Sequence, residues 1–103
     1  MVVEYIRYEV PNTRAHDFQD AYARAVRVLD ADEHCLAYDV AQGVEEPSNW
    51  VVRIEWDSLE GHEQGFRRAP HFREFFAAVR PFFDDIREMK HYDARLSSAQ
   101  MPR

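Results

Sequence analysis

Two histidines occupy positions where an imidazole could act as a proton acceptor. His62 shares one side of a predicted short helix with Phe66, which gives the ring apolar surroundings. His91 lies in the last predicted strand, where the carboxylate of Glu9 or Glu55 could bond to it across the sheet. Because imidazole changes charge near neutral pH, either ring could take a proton from a bound ligand. The alternative for His62 is that it is a neutral, hydrogen-bonded residue of the core.

Phenylalanines dominate the second half of the chain. The sequence contains seven of them, and six lie between positions 66 and 83. Aromatic rings on a broken helix above a sheet are suited to enclosing a flat organic ligand, although the same rings could simply fill a core. The residues that we expect to line a substrate pocket are Tyr8, Trp56, Phe66, Phe72, Phe75 and Phe76.

Charged side chains alternate along two strands that we expect to be neighbours. Arg7 and Glu9 share one side of the first strand, and Arg53 and Glu55 share one side of the third. These four side chains could interlace as ion pairs in a polar seam between the two sheets of a dimer. In the alternative, Arg7 or Arg53 binds an anionic enolate or phenolate.

The sequence lacks the motifs that are typical of several kinds of cofactor and metal sites. The three glycines form no phosphate-binding loop or dinucleotide fingerprint, and there is no nucleophile elbow, so flavin and nicotinamide have no support. No two histidines have the helical i, i+4 spacing of a metal site, and no carboxylates cluster in the sequence. We therefore expect no cofactor and no metal ion, since metal ligands could meet only through the fold itself.

The composition is that of one acidic, globular domain. The 103 residues carry a formal net charge of −6, which disfavours nucleic acid and anionic membrane surfaces as partners. No apolar run approaches the roughly 20 residues of a membrane span, and the N-terminus has no signal-peptide pattern. The single cysteine, Cys35, is typical of a reducing compartment and reads as a small buried residue, so we expect a cytoplasmic protein.

The elements that position these residues follow from hydrophobic periodicity. Strand-like runs cover residues 2–10, 35–42, 50–56 and 86–93. One amphipathic helix begins near Asn12, and a second follows Asp57, which has capping-box spacing to Glu60. Pro70 begins another turn, so this second helix is broken in two. The order β-α-β-β-α-β predicts an α+β, ferredoxin-like fold, a four-stranded antiparallel sheet with helices on one face.

The other face of such a sheet has no cover of its own. A second copy stacked on that face would close a dimeric α/β barrel, so we expect a homodimer through the open sheet face. Residues 1–93 are then a single domain, and residues 94–103 are a loose C-terminal tail.

Short segments throughout the chain resemble those of a known family. They are Trp56-Asp57-Ser58-Leu59-Glu60-Gly61-His62, Phe66-Arg67-Arg68-Ala69-Pro70-His71-Phe72, Phe75-Phe76, Glu4-Tyr5-Ile6-Arg7-Tyr8 and Met89-Lys90-His91-Tyr92. Over residues 2–93 the chain resembles the antibiotic biosynthesis monooxygenase family, and in particular its quinol monooxygenase-like members. The resemblance implies a dimeric α/β barrel that oxidises a small aromatic, anthrone- or quinol-type substrate with molecular oxygen, without metal or flavin.

The chain departs from two branches of that family. Quinol-type relatives carry a histidine where this chain has Phe66. The heme-degrading branch uses a heme-binding histidine where this chain has Phe76, and it has an asparagine that the first strand here lacks. We therefore do not expect heme degradation. His62, one turn earlier than the quinol-type histidine, could take its place.

The leading hypothesis is a cofactor-independent monooxygenase. In it, His62 or His91 accepts a proton, Arg7 or Arg53 stabilises the anion, and the phenylalanines form the walls of the pocket. A deprotonated, electron-rich phenol can pass an electron directly to oxygen, so a dry slot, a base and an anion site suffice. The alternatives are a non-catalytic module for ligand binding or dimerisation, and an isomerase or lyase that needs no oxygen. RNA binding is disfavoured by the net charge of −6.

Overall fold

The computed structural model describes residues 1–97, which form the predicted order of strands and helices. The elements are β1 (Val2–Glu9), α1 (Ala15–Asp30), β2 (Cys35–Gln42), β3 (Asn49–Trp56), α2 (Phe72–Val79) and β4 (Ile86–Asp93). The four short helical turns are Asn12–Arg14, Gly61–Gly65, Phe66–Arg68 and Arg80–Asp85. Of the predicted tail, residues 94–97 continue without helix or strand, and residues 98–103 lie outside the described residues.

The four strands form one antiparallel sheet in the order β2-β3-β1-β4. The first and third strands are therefore neighbours, as predicted, with Tyr8 opposite Trp50 and Glu4 opposite Ile54. On its other side β1 pairs with β4, where Glu4 faces His91. The antiparallel sheet and the order of its elements confirm the α+β, ferredoxin-like fold.

Strict alternation along the strands divides the sheet into two unlike faces. Along β3, the residues that are almost fully buried are Trp50, Val52, Ile54 and Trp56. Helix α1 packs over this face with apolar residues at helical spacing, among them Phe18, Tyr22 and Leu29. Rings contribute much of this core, since Phe18 lies within about 5 Å of the ring centres of both Tyr8 and Trp50. The core thus lies between the helices and one face of the sheet.

The opposite face of the sheet carries the charged row that the sequence analysis identified. Arg53 pairs with Asp39 at 2.9 Å, and Glu9 pairs with Arg87 at 3.1 Å. Arg7 donates a long hydrogen bond, 3.5 Å, to the side chain of Asn49. The predicted interlacing of Arg7, Glu9, Arg53 and Glu55 was therefore wrong. The physical reason is the register, which sets Arg53 opposite Tyr5 and Arg7 opposite Val51.

The first half of the broken helix is capped differently from the prediction. The Gly61 N–H donates to the Ser58 hydroxyl at 2.8 Å, so Ser58, and not Asp57, provides the cap. Asp57 instead bonds to His34 at 2.8 Å. The His34 ring lies against Gly61 and Gly65, where a Cβ atom would collide with it. These two glycines let the segment pass close to the His34 ring.

None of the helices within residues 1–97 combines the length and the apolar character that a bilayer crossing requires.

Candidate active site

A cavity of about 560 Å³ lies between the helix-covered face of the sheet and the broken second helix. This volume is in the range of small-molecule sites. Five of the six predicted pocket residues line it, namely Tyr8, Phe66, Phe72, Phe75 and Phe76. The more exposed apolar lining residues are Phe76, Phe83 and Met89, at 39%, 39% and 45%, and they mark its mouth. The cavity is thus predominantly apolar and open at one side.

The aromatic wall is built by the break in the second helix. The i, i+3, i+4 spacing in α2 sets Phe72, Phe75 and Phe76 on one side of that helix. Phe66, from the preceding turn, meets both Phe72 and Phe75 edge-to-face with ring centres 5.3 Å apart. Phe66 is also buried, so this ring serves the core as well as the cavity. The Phe66 ring therefore belongs both to the core and to the wall of the cavity.

The polar end of the cavity brings together side chains from three separate elements. Glu4 of β1 and His91 of β4 face each other across the sheet, and His62 comes from the turn above them. The Nδ1 atom of His62 lies 2.8 Å from Nε2 of His91. On the other side of the same ring, Arg67 Nε donates to His62 Nε2 at 3.3 Å, and Glu4 Oε1 lies 3.4 Å away. Glu4, His62 and Arg67 line the cavity.

Trp56 supports the polar end from behind. Its ring stacks on the His62 imidazole, with centres 4.5 Å apart and planes inclined by 12°. Its indole N–H donates to Glu4 Oε1 at 3.1 Å. Trp56 is fully buried and is absent from the cavity wall, which corrects its predicted place in the pocket. The reason is that the side chain of His62 lies between the indole and the cavity.

The protonation states at this end follow from burial and from a nearby cation. Burial, and then the charge of Arg67, lower the pKa of His62 to about 3, so the ring is neutral at ordinary pH. Since His62 Nε2 accepts from Arg67, its Nδ1 carries the proton and donates to His91. Burial also lowers the pKa of His91. Burial raises the pKa of Glu4, against the opposing effects of the Trp56 hydrogen bond and Arg67.

The lowered pKa of His62 makes stability depend on pH in a defined direction. Between pH 6.5 and about pH 3 the ring is protonated in the unfolded chain and neutral in the folded protein, so unfolding takes up a proton. The free energy of unfolding therefore decreases as the pH is lowered through this window, by up to about 1.4 kcal/mol per pH unit from this group. Urea unfolding of His62→Gln should show a shallower slope with pH than the unchanged protein. Equal slopes would contradict a pKa this low.

The two arginines predicted to stabilise an anion lie away from the cavity. Arg7 and Arg53 project from the opposite face of the sheet, because they alternate with the buried residues Ile6 and Ile54. This corrects their predicted place at the site. The cation that does line the cavity is Arg67.

His91 has a different partner from the carboxylates suggested by the sequence. It bonds to His62 and not to Glu9 or Glu55, because the β1–β4 register turns its side chain to the helix-covered face. Glu4 was missed altogether. A signal for it was present, since this acidic residue alternates in phase with the buried Ile6 and Tyr8. No comparable local signal distinguishes Arg67 from Arg68.

Comparisons with known proteins agree with this architecture. Residues 1–78 match the antibiotic biosynthesis monooxygenase family. The uncharacterized protein YczJ of Bacillus subtilis is 23% identical over 92 residues, which are 89% of this chain and 97% of that protein. A solved Bordetella bronchiseptica protein assigned to the same family superposes with a TM-score of 0.78 at 21% identity, covering 92% of this chain and 97% of its own.

A further similar structure is that of SnoaB, described as a cofactor-independent oxygenase from Streptomyces nogalater. Its TM-score is 0.73 at 15% identity, and the match covers 96% of this chain and 97% of SnoaB. At these identities the solved structures bear on the fold, whereas the family match spans most of the sequence. The chain belongs to the antibiotic biosynthesis monooxygenase family.

Proposed function

We propose that the protein is a cytoplasmic, cofactor-independent monooxygenase that oxidises a small anthrone- or quinol-type aromatic with molecular oxygen. The observation that carries this proposal is the aromatic cavity of about 560 Å³ with a neutral histidine and an arginine at its polar end. Membership of the family and the description of SnoaB as a cofactor-independent oxygenase support it.

The polar end can ionise a bound phenol or enol. The hydroxyl enters beside His62, and Arg67 turns its N–H donors from His62 Nε2 to the substrate oxygen. Because this movement takes the charge of Arg67 away from the ring, it removes one of the two main causes of the low pKa of His62. Nε2 then accepts the proton, and the imidazolium is stabilised by the Glu4 carboxylate 3.4 Å away. The arginine stabilises the anion as it forms. His91 does not line the cavity, so we assign it to holding the His62 ring through the 2.8 Å hydrogen bond.

The ionised substrate completes the reaction with oxygen alone. One electron passes from the anion to O₂, and the resulting superoxide and carbon radical combine to form a peroxide at carbon. The imidazolium of His62 returns its proton to this peroxide, and loss of water then leaves one oxygen atom in a carbonyl group and the other in water. Both hydrogens of that water come from the substrate, so no external reductant is needed. The phenyl rings around the cavity exclude bulk water from these intermediates.

The test is oxygen uptake by metal-stripped protein, in the presence of EDTA, with a panel of anthrones, naphthols and quinols. We expect uptake above the uncatalysed rate and a product whose mass shows one added oxygen atom and two lost hydrogens. Binding of panel compounds, seen as thermal shifts, without uptake would overturn the oxygenase and favour the non-catalytic module. Turnover of a panel compound without oxygen would favour an isomerase or lyase.

The cavity can be closed at its mouth without disturbing the core. Met89 lines the cavity and is 45% exposed, so a larger side chain there can extend over the opening. We expect Met89→Trp to lower the affinity for an accepted aromatic ligand about tenfold or more, while the free energy of unfolding changes by less than about 1 kcal/mol. Isothermal titration and urea unfolding measure the two quantities. Met89→Leu, which conserves volume, is the matched control, and equal affinities in both variants would place the ligand elsewhere.

We also propose that two copies pair through the open sheet face, where no part of residues 1–97 covers the sheet. Tyr5 and Tyr92 meet there edge-to-face with ring centres 6.2 Å apart, and Tyr92 is 50% exposed. Light scattering should give about twice the chain mass of 12.2 kDa. Tyr92→Asp should reduce it to a single chain, because burying a carboxylate without a partner is costly. Tyr92→Phe should leave the dimer intact, and a single-chain mass for the unchanged protein would refute the dimer.

A further inference from the structure

The polar end of the cavity has a second chemical property besides accepting a proton. Within residues 1–97, one group of three potential metal ligands lies close together, Glu4, His62 and His91. One donor atom from each side chain lies within 4.8 Å of the others. They come from β1, from the turn after β3 and from β4. Only the fold brings them together. The spacing of residues along the chain shows no metal-site motif, so a metal site could form only in this way.

The two imidazoles lie close to the separation that a metal ion requires. His62 Nδ1 and His91 Nε2 are 2.8 Å apart. Two nitrogens bound to one ion at about 2.1 Å would be about 3.0 Å apart at a right angle and about 3.4 Å apart at a tetrahedral angle. In the metal-free protein a single proton occupies the line between these nitrogens. Replacing that proton by an ion requires both rings to turn so that their lone pairs converge on it. It also requires the Glu4 carboxylate, which lies 3.4 Å from the opposite nitrogen of His62, to move towards the ion.

The surroundings of the cluster resemble those that orient metal ligands. Trp56 stacks on His62 and donates its indole N–H to the Glu4 carboxylate, so both ligands are held in place. The side chains of Glu4 and His62 are each 3% exposed, which limits competition from water. Since Glu4 and His62 line the cavity, an ion there would keep coordination positions open to a ligand.

One neighbouring charge acts against a bound cation. Arg67 Nε lies 3.3 Å from His62 Nε2, and its guanidinium would repel an ion on the other side of the ring. Arg67 is exposed, so its side chain can move towards solvent. The repulsion predicts that removing this charge strengthens binding.

We propose that Glu4, His62 and His91 form a binding site for one divalent first-row transition-metal ion, such as Co²⁺ or Zn²⁺. Two imidazoles and one carboxylate suit ions of this class, whereas Ca²⁺ and Mg²⁺ prefer oxygen ligands. The ion and the proton shared by the two histidines exclude each other. The inference goes beyond the proposed oxygenation and does not depend on it, because it is tested by metal binding alone.

The test is a titration of untagged, metal-stripped protein with Co²⁺, followed by visible absorption and by calorimetry. We expect one equivalent to bind, with visible bands that report nitrogen and oxygen ligands. His91→Ala and the isosteric Glu4→Gln should each lower the affinity at least tenfold, and Mg²⁺ should not compete. His16→Ala, which removes an exposed histidine, is the control and should bind as the unchanged protein does. Circular dichroism and thermal unfolding establish that each variant is folded.

Arg67→Gln provides a second measurement that does not rely on removing a ligand. It should tighten Co²⁺ binding several-fold, whereas Arg68→Gln, at the next position along the chain, should leave it unchanged. Absence of a one-equivalent binding phase would overturn the proposal. So would Co²⁺ affinity that survives both His91→Ala and Glu4→Gln, or equal affinity in the two arginine variants, since each result places the ion elsewhere.

Discussion

Replacing His62 by glutamine is expected to lower kcat for oxygen uptake about 100-fold or more. Positioned general bases contribute on the order of 10² to 10⁴ in rate, and the glutamine amide cannot accept the substrate proton. Glutamine at this position can still form hydrogen bonds with His91 and Arg67, which are the partners of His62 in the unchanged protein. The variant should therefore fold, and ligand affinity should change much less than kcat. Oxygen-electrode rates and thermal unfolding measure the two properties.

Two comparisons determine whether this loss belongs to His62 itself. His16→Gln changes a histidine that is 88% exposed and does not line the cavity, and it should turn over at the unchanged rate. His91→Gln removes the partner of His62 without removing a cavity residue, so we expect a smaller loss together with a shifted pH profile. A His62→Gln protein with unchanged kcat would assign proton acceptance to another group. A larger loss in His91→Gln than in His62→Gln would point to His91.

Replacing Arg67 by glutamine is expected to lower kcat/KM for a phenolic substrate about 10- to 100-fold. A hydrogen bond to a charged group contributes about 1.5–3 kcal/mol, and Arg67 is the arginine that lines the cavity. Because the interaction strengthens as the phenolate forms, kcat should fall more than affinity for the neutral substrate. Steady-state oxygen uptake over a range of substrate concentrations separates the two.

Arg68→Gln is the matched control, since it removes the same charge one position further along the same exposed turn. It should retain nearly full activity. Arg53→Gln tests the sequence-based alternative, because Arg53 pairs with Asp39 on the other face of the sheet. Loss of activity in Arg53→Gln with little change in Arg67→Gln would place the anion site on that face and contradict the assignment of Arg67.

The sequence by itself determined the elements of this protein and their order. The predicted strands 35–42 and 86–93 have the same bounds in the structure, because alternation and β-branched or aromatic residues act locally. The apolar positions of β3 and of α1 likewise identified the faces that form the core. The phenylalanines that wall the cavity were found in the same way, because three of them follow the period of α2. These are properties of neighbours along the chain.

Only the tertiary structure decided which polar side chains meet. His62 and His91 are 29 positions apart, and Glu4 and Trp56 are 52 apart, so their contacts depend on strand register and on where the broken helix lies. A change of one residue in register would move His91 to the open face, where Arg7 and Arg53 lie. The composition of the site is therefore set by pairing between distant strands, which local periodicity does not encode.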